Sequence, residues 1–214
     1  DGPGMGPSGI TSAGKYKAHA MTEQEVQDCI DAFAQAAADA ERIGCDAIEI
    51  HGAHGYLIDQ FFWEVTNERT DRWGGSFEKR SQLAIDIVKA VRARVSPDFP
   101  VIFRFSQWKQ QDYTARLAPT PELLTQFLLP LSEAGVDIFH ASQRRFWEPE
   151  FEGSDLNLAG WTKEITGKPS ISVGSVGLNV DFLEGTLSAT PMDSIGQRGI
   201  DELLTRMEKG EFDL

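Results

Sequence analysis

Sulfur is scarce in this chain: 214 residues hold two cysteines, Cys29 and Cys45. Their spacing fits neither a C-x-x-C redox site nor a zinc ribbon, and both are expected as small core residues rather than as a disulfide. Basic residues are also few, with 20 Lys and Arg against 33 Asp and Glu and a formal net charge of −13. Without a basic stripe, nucleic acid and anionic membrane surfaces are poor partners, and the acidity says little else about partners. No apolar run approaches the roughly 18 residues of a membrane span. No signal-peptide pattern opens the chain, so a reducing cytoplasm is the expected compartment. No G-x-G-x-x-G follows a strand, which argues against a dinucleotide-binding open sheet.

What the chain does have is a repeating beat. The Gly-, Pro- and Ser-rich residues 1–21 read as loop. Thr22 and Glu25 then form a capping-box signal, and Val26, Ile30, Phe33, Ala37 and Ala40 give the helix behind it an apolar stripe. The short run "DAIEI" reads as a strand. Helical patterns follow over 77–95, 121–134 (where Pro130 is expected to kink or end the helix), 157–166 and 197–209. Between them lie the strand patterns "VIFRF", "GVDIFHA" and "PSISVG", and "FDL" looks like the start of another. Strand starts near residues 101, 136 and 170 recur at βα-unit spacing. The junctions "IGCDAIEIH", "AGVDIFHA" and "KGEFDL" echo one another, each placing an Asp just before an apolar run. The reading is α/β, a parallel sheet covered by helices, over a single domain 1–214.

Polar residues decide between an open sheet and a (β/α)8 barrel. His51, Arg104, His140 with Ser142, and Gly174 with Ser175 all fall at the C-terminal ends of strands, where barrel enzymes place their sites. Strand alternation puts Ile102, Arg104 and Ser106 on one face and Phe103 and Phe105 on the other, toward the helices. Glu49 shares the face of His51, so it is expected to point inward with a partner.

His51 and His54, followed by Tyr56 in "HGAHGYLIDQF", invite three readings. Zinc would need a third ligand, and the sequence shows no H-E-x-x-H helix and no cysteine close by. Packing is the ordinary role of a histidine pair, although a Gly-rich turn packs little. The third reading is two N–H donors converging on an oxygen that gains negative charge, with Tyr56 as proton donor, because a phenol keeps its proton at neutral pH. That chemistry needs a hydride source, which no side chain provides.

The long motif "EIHGAHGYLIDQFFWEVTNERTDRWGGSFEKR", with "VIFRFS", "AGVDIFHAS" and "SISVGSVGL", closely resembles the old yellow enzyme family of flavin-dependent ene-reductases. The resemblance implies a TIM (β/α)8 barrel that binds FMN, uses NAD(P)H as reductant and reduces the activated C=C bond of a small-molecule substrate. It further implies that His51 and His54 bind the substrate oxygen, that His51 also touches the flavin, and that Tyr56 protonates the substrate carbon. Arg104 would lie beside the flavin N1–C2 carbonyl edge, and Gly174 and Ser175 in the loop that helps hold the FMN phosphate. Asn67, Arg69, Asp71 and Arg80 read as locks on a long loop. Arg144, Arg145 and Trp147 are open to three roles: a substrate mouth, to which Trp147 is assigned, a solvated loop, or a subunit contact in a homo-oligomer. His19 reads as an ordinary loop histidine.

A full barrel needs eight strands and about 250 residues. This chain offers four to five βα units, roughly the second half, and begins with Asp1. A partial chain is therefore expected, with weak FMN binding unless the missing half is supplied. The alternatives are a flavin-free barrel remnant with a binding or assembly role, and an iron–sulfur relative resembling a dienoyl-CoA reductase.

Overall fold

The computed structural model describes residues 4–12, 15–16, 18–178 and 196–214. They fall into two compact units divided after Asp137. Within the stretch expected as loop, four short strands pair: β1 (Met5–Gly6) runs parallel to β4 (His19–Ala20), and β2 (Ile10–Ser12) runs antiparallel to β3 (Lys15–Tyr16). Residues 1–3, 13–14 and 17 of that stretch lie outside the described residues. His19 is not idle, since its Nε2 lies 2.9 Å from Glu25 Oε2.

In the first unit, α1 (Glu23–Arg42) starts on the expected capping box, with Glu25 N–H donating to Thr22 Oγ1 and Thr22 N–H donating to Glu25. Val26, Ile30, Ala34 and Ala37 are its buried residues. Strand β5 (Ile48–His54) runs parallel to β6 (Val101–Lys109). Both are longer than their sequence patterns suggest, so His51 sits within a strand and not just past its end. Between them come α2 (Leu57–Phe62), a short helix with no period long enough to be read from sequence, and α3 (Phe77–Arg92), capped by Ser76. α4 (Pro121–Ala134) follows, and α3 packs on both α1 and α4.

Pro130 neither ends nor shortens α4. It removes one backbone hydrogen bond, to the carbonyl of exposed Gln126, where water can substitute. Leu124, Phe127, Leu128 and Leu131, all fully buried, hold the helix on the core regardless. Phe103 and Phe105 are fully buried, with ring centroids 6.4 and 5.6 Å from that of Phe127, so the phenylalanine face of β6 meets the helices as strand parity requires. Glu49 shares the face of His51 and is engaged with another group, as expected, but it is exposed rather than buried. Cys45 is also exposed and Cys29 only partly covered, so neither is a full core residue.

In the second unit, β7 (Ile138–Ser142) pairs parallel to β8 (Ser170–Val173), with α5 (Leu158–Thr166) packed on both and α6 (Gly196–Glu208) farther along the chain. Residues 213–214 bond along β8: Asp213 N–H donates to Ser170 O and Ser172 N–H donates to Leu214 O. That is how "FDL" would begin a further strand. The echo among the junctions also gains a physical cause. Asp137 Oδ2 accepts from Val101 N–H at 2.9 Å, and Asp213 Oδ2 accepts from Ser170 N–H at 2.9 Å. Each Asp therefore satisfies the first N–H of an earlier strand. Alternating helices and parallel strands of this kind are consistent with part of a (β/α) barrel. Among the described residues no helix is long and apolar enough to cross a membrane.

The α1 cap makes a pH prediction. The Thr22 N–H, the His19 side chain and the Thr22 hydroxyl lower the Glu25 carboxyl to about 2. A depressed carboxyl contributes stability that is fully present above its unfolded value of 4.5 and is lost as pH falls through about 2. An NMR titration should give a Glu25 midpoint near pH 2, and Thr22→Ala should move it upward.

Candidate functional site

The site of the first unit is built on the bulged end of the β5–β6 pair. His51 pairs with Arg104 and Gly52 with Phe105, then the register shifts and His54 pairs with Lys109. The extra residues on β6 fall within Ser106–Trp108, and a bulge of this kind re-aims side chains. Ser106 Oγ accepts from His54 N–H at 3.0 Å and donates to Trp108 O at 2.7 Å, which closes the arch onto the turn. His54 has a left-handed backbone at φ 62°, unusual for a residue with a Cβ, and Gly55 follows at φ 81°.

This turn gathers three of the expected residues. The His51 ring centroid lies 5.3 Å from that of His54 and 5.1 Å from that of Tyr56. Trp108 stacks on His54 at 4.5 Å with an interplanar angle of 21°. Tyr56, the N-cap of α2, is 52% exposed. Arg104, beside His51 in the ladder, has a buried Nε without a hydrogen-bond partner among the described residues. A buried guanidinium N–H is costly to leave unpaired, so this donor fits a ligand acceptor such as a flavin carbonyl edge. His51 and His54 are each engaged with other groups as well. Among the described residues no three His, Cys, Asp or Glu side chains gather as metal ligands.

Beneath the turn lies an ion pair that sequence reading missed. Asp59 and Lys109 have side chains 0% and 1% exposed, with Lys109 Nζ 2.5 Å from Asp59 Oδ1. Asp59 Oδ2 accepts from Gly55 N–H at 2.6 Å. Burial pushes the Asp59 carboxyl above its ordinary range, against the opposing pull of the Lys109 ammonium and the Gly55 N–H. A signal was available: a carboxylate inside the apolar run "LIDQFF" must find a partner. Trp108 gave no such signal, since the bulge over Ser106–Trp108 interrupts the alternation of β6. The loop locks behave as expected. Asn67 Nδ2 donates to Phe61 O and Trp73 O, Arg69 binds Asp71 and Pro7 O, and Arg80 donates to Phe62 O and Gly75 O.

In the second unit, Gly174 and Ser175 sit directly after β8. A Cβ on Gly174 would lie 2.5 Å from Gln143 O, so only glycine fits there. Ser175, at φ 50°, donates from Oγ to Arg144 O at 2.8 Å. Trp147 is half-buried, edge-on to Phe146 at 5.2 Å, and its carbonyl accepts from Arg206 Nη2. His140 and Ser142 lie in β7, opposite Ile171 and Val173.

The family model for "NADH:flavin oxidoreductase / NADH oxidase family" matches residues 3–179. The chain belongs to this family. NADH oxidase of Thermoanaerobacter brockii is 37% identical over 164 residues, 73% of this chain and 25% of the relative. The probable NADH-dependent flavin oxidoreductase YqiG of Bacillus subtilis is 34% identical over 205 residues, 90% of this chain and 53% of the relative. The chain thus spans between a quarter and about half the length of these two curated relatives. Among solved structures, the old yellow enzyme homologue from Zymomonas mobilis shares the fold, with a TM-score of 0.65 and 21% identity over 91% of this chain and 64% of the other. A 2-naphthoyl-CoA reductase complex gives a TM-score of 0.59 and 26% identity over 78% of this chain and 26% of the other. The NADH:flavin oxidoreductase family is defined by flavin chemistry, and the residues on the β5–β6 face suit it.

The packing under this site is tight at Gly52, where a Cβ would lie 2.5 Å from Phe103 Cζ, a ring buried on every side. Gly52→Ala should cost about 1–3 kcal/mol, seen as a lower urea midpoint at unchanged slope.

Proposed function

We propose that this chain carries the catalytic half of an FMN-dependent ene-reductase, an eight-stranded barrel enzyme that reduces α,β-unsaturated carbonyl or nitro compounds. The carrying observation is the ring cluster, with His51 centred 5.3 Å from His54 and 5.1 Å from Tyr56 on one turn. Family membership and the unpaired buried Nε of Arg104 support the flavin.

In this reading, bound FMN, recharged by NAD(P)H, supplies a hydride to the β-carbon of the activated double bond. The imidazole N–H groups of His51 and His54 donate to the substrate oxygen and stabilise the negative charge it gains. Tyr56 Oη gives its proton to the α-carbon, and its exposure lets water restore that proton. The Arg104 guanidinium would supply positive charge to the flavin carbonyl edge, and the Gly174–Ser175 backbone would hold the FMN phosphate. Trp147 would line the substrate mouth. A second reading, reduction of an aromatic or unsaturated acyl-CoA, draws on the likeness to 2-naphthoyl-CoA reductase.

The test starts from the purified chain with added FMN. Flavin should bind, quench its fluorescence and bleach on addition of NADPH or NADH. Tyr56→Phe should then slow enone reduction by about 100-fold or more, with flavin reduction by NAD(P)H within about twofold of the parent. A chain that takes up no FMN even when the rest of the barrel is supplied, or equal loss in both half-reactions, contradicts the proposal. Preference for an enoyl-CoA over simple enones selects the second reading.

A further inference from the structure

We propose that the buried Asp59–Lys109 pair is the positioning element of the His54–Tyr56 turn, fixing where the imidazole of His54 and the phenol of Tyr56 stand. This rests on the reading of that turn as oxygen clamp and proton donor, but its geometry can be tested without flavin or substrate.

The turn closes on itself through one backbone bond, Tyr56 N–H to Ala53 O at 3.2 Å. His54 and Gly55 both adopt positive φ, at 62° and 81°, and α2, which follows Tyr56, has only six residues. So short a helix has little stability of its own. Asp59, in the first turn of α2, ties the two sides together. One carboxylate oxygen accepts from Gly55 N–H at 2.6 Å, and the other accepts from Lys109 Nζ at 2.5 Å. Lys109 is the register partner of His54 on the far side of the bulge. One carboxylate thus joins the turn, the start of α2 and the end of β6.

Stability alone gives no reason for charge at this place. A buried ion pair contributes little net stability beyond well-packed apolar residues of similar volume, whereas loss of one partner is severe. The charge instead gives Gly55 N–H an acceptor of fixed direction. Other bonds bear on the same turn: Gln60 Nε2 to Gly55 O at 2.9 Å, Gln110 N–H to His54 O at 3.3 Å, His54 N–H to Ser106 Oγ at 3.0 Å and Tyr56 N–H to Ala53 O at 3.2 Å. None of these engages the Gly55 N–H, which among the described residues is received by Asp59. The pair touches no reacting atom in this reading, so Asp59 and Lys109 are positioning residues.

Two double variants of the isotope-labelled chain separate positioning from bulk stability. Asp59→Leu/Lys109→Met removes both charges and the acceptor. Asp59→Asn/Lys109→Met removes both charges but keeps a carbonyl oxygen for Gly55 N–H. In the Leu/Met chain, Gly55 amide exchange should rise at least about tenfold, and the nuclear Overhauser contacts between His51 and Tyr56 and between His54 and Trp108 should weaken. Amides of α1 and α3 should keep their protection in both chains, and the Asn/Met chain should recover the Gly55 protection and the ring contacts. Unchanged ring contacts in the Leu/Met chain overturn the proposal. So does loss of α1 and α3 protection by the same factor, including outright failure to fold, and so does failure of the Asn/Met chain to recover the turn.

Discussion

The pleat of the β5–β6 pair is the constraint on which the rest of the first unit depends. Ile50, Phe103 and Phe105 leave one face and are buried, and each contributes about 1.5–3 kcal/mol by leaving water. The opposite face then carries His51 and Arg104, paired across the ladder. A slip of one residue would drive both polar side chains into the helix layer and expose the phenylalanines. The same burial that stabilises the sheet therefore fixes the register of the chemical groups.

Past Gly52 the ladder can no longer set geometry, and local devices take over. The β6 bulge presents Ser106 to the His54 N–H, and Trp108 lies flat on the His54 ring. Glycine at 52 admits the Phe103 ring where a side chain would collide, and the Asp59 carboxylate receives the Gly55 N–H. Strain at His54 is tolerable because the structure around it determines its position from several sides. In the second unit Gly174 plays a comparable part, letting the loop after β8 approach the Gln143 carbonyl more closely than any side chain would allow.

Features set by periodicity were legible in the sequence. The Thr22–Glu25 cap and the two faces of β6 follow from spacing and alternation, and the structure bears them out. The repeated Asp at the strand junctions was visible as a pattern, but its cause, satisfaction of a strand's first N–H, needed the register. Pro130 misleads because local propensity is outweighed by four buried apolar side chains on the same helix. Helix α2 escapes notice because six residues show no helical period. The Asp59–Lys109 pair joins residues 50 apart in sequence, and such partners become visible only once the strands are aligned. Glu49 was placed on the correct face, but alternation alone does not determine how deeply a face is covered.

The account stands or falls on whether His51 and His54 act together on one developing oxyanion. The direct measurement is the imidazole nitrogen NMR spectrum of the FMN-loaded chain, titrated with a phenolate whose oxygen imitates an enolate. The account predicts that N–H signals of both histidines shift together along a single binding curve and that His19 stays unmoved. A phenolate that binds but shifts neither ring, or only one of the two, would contradict it.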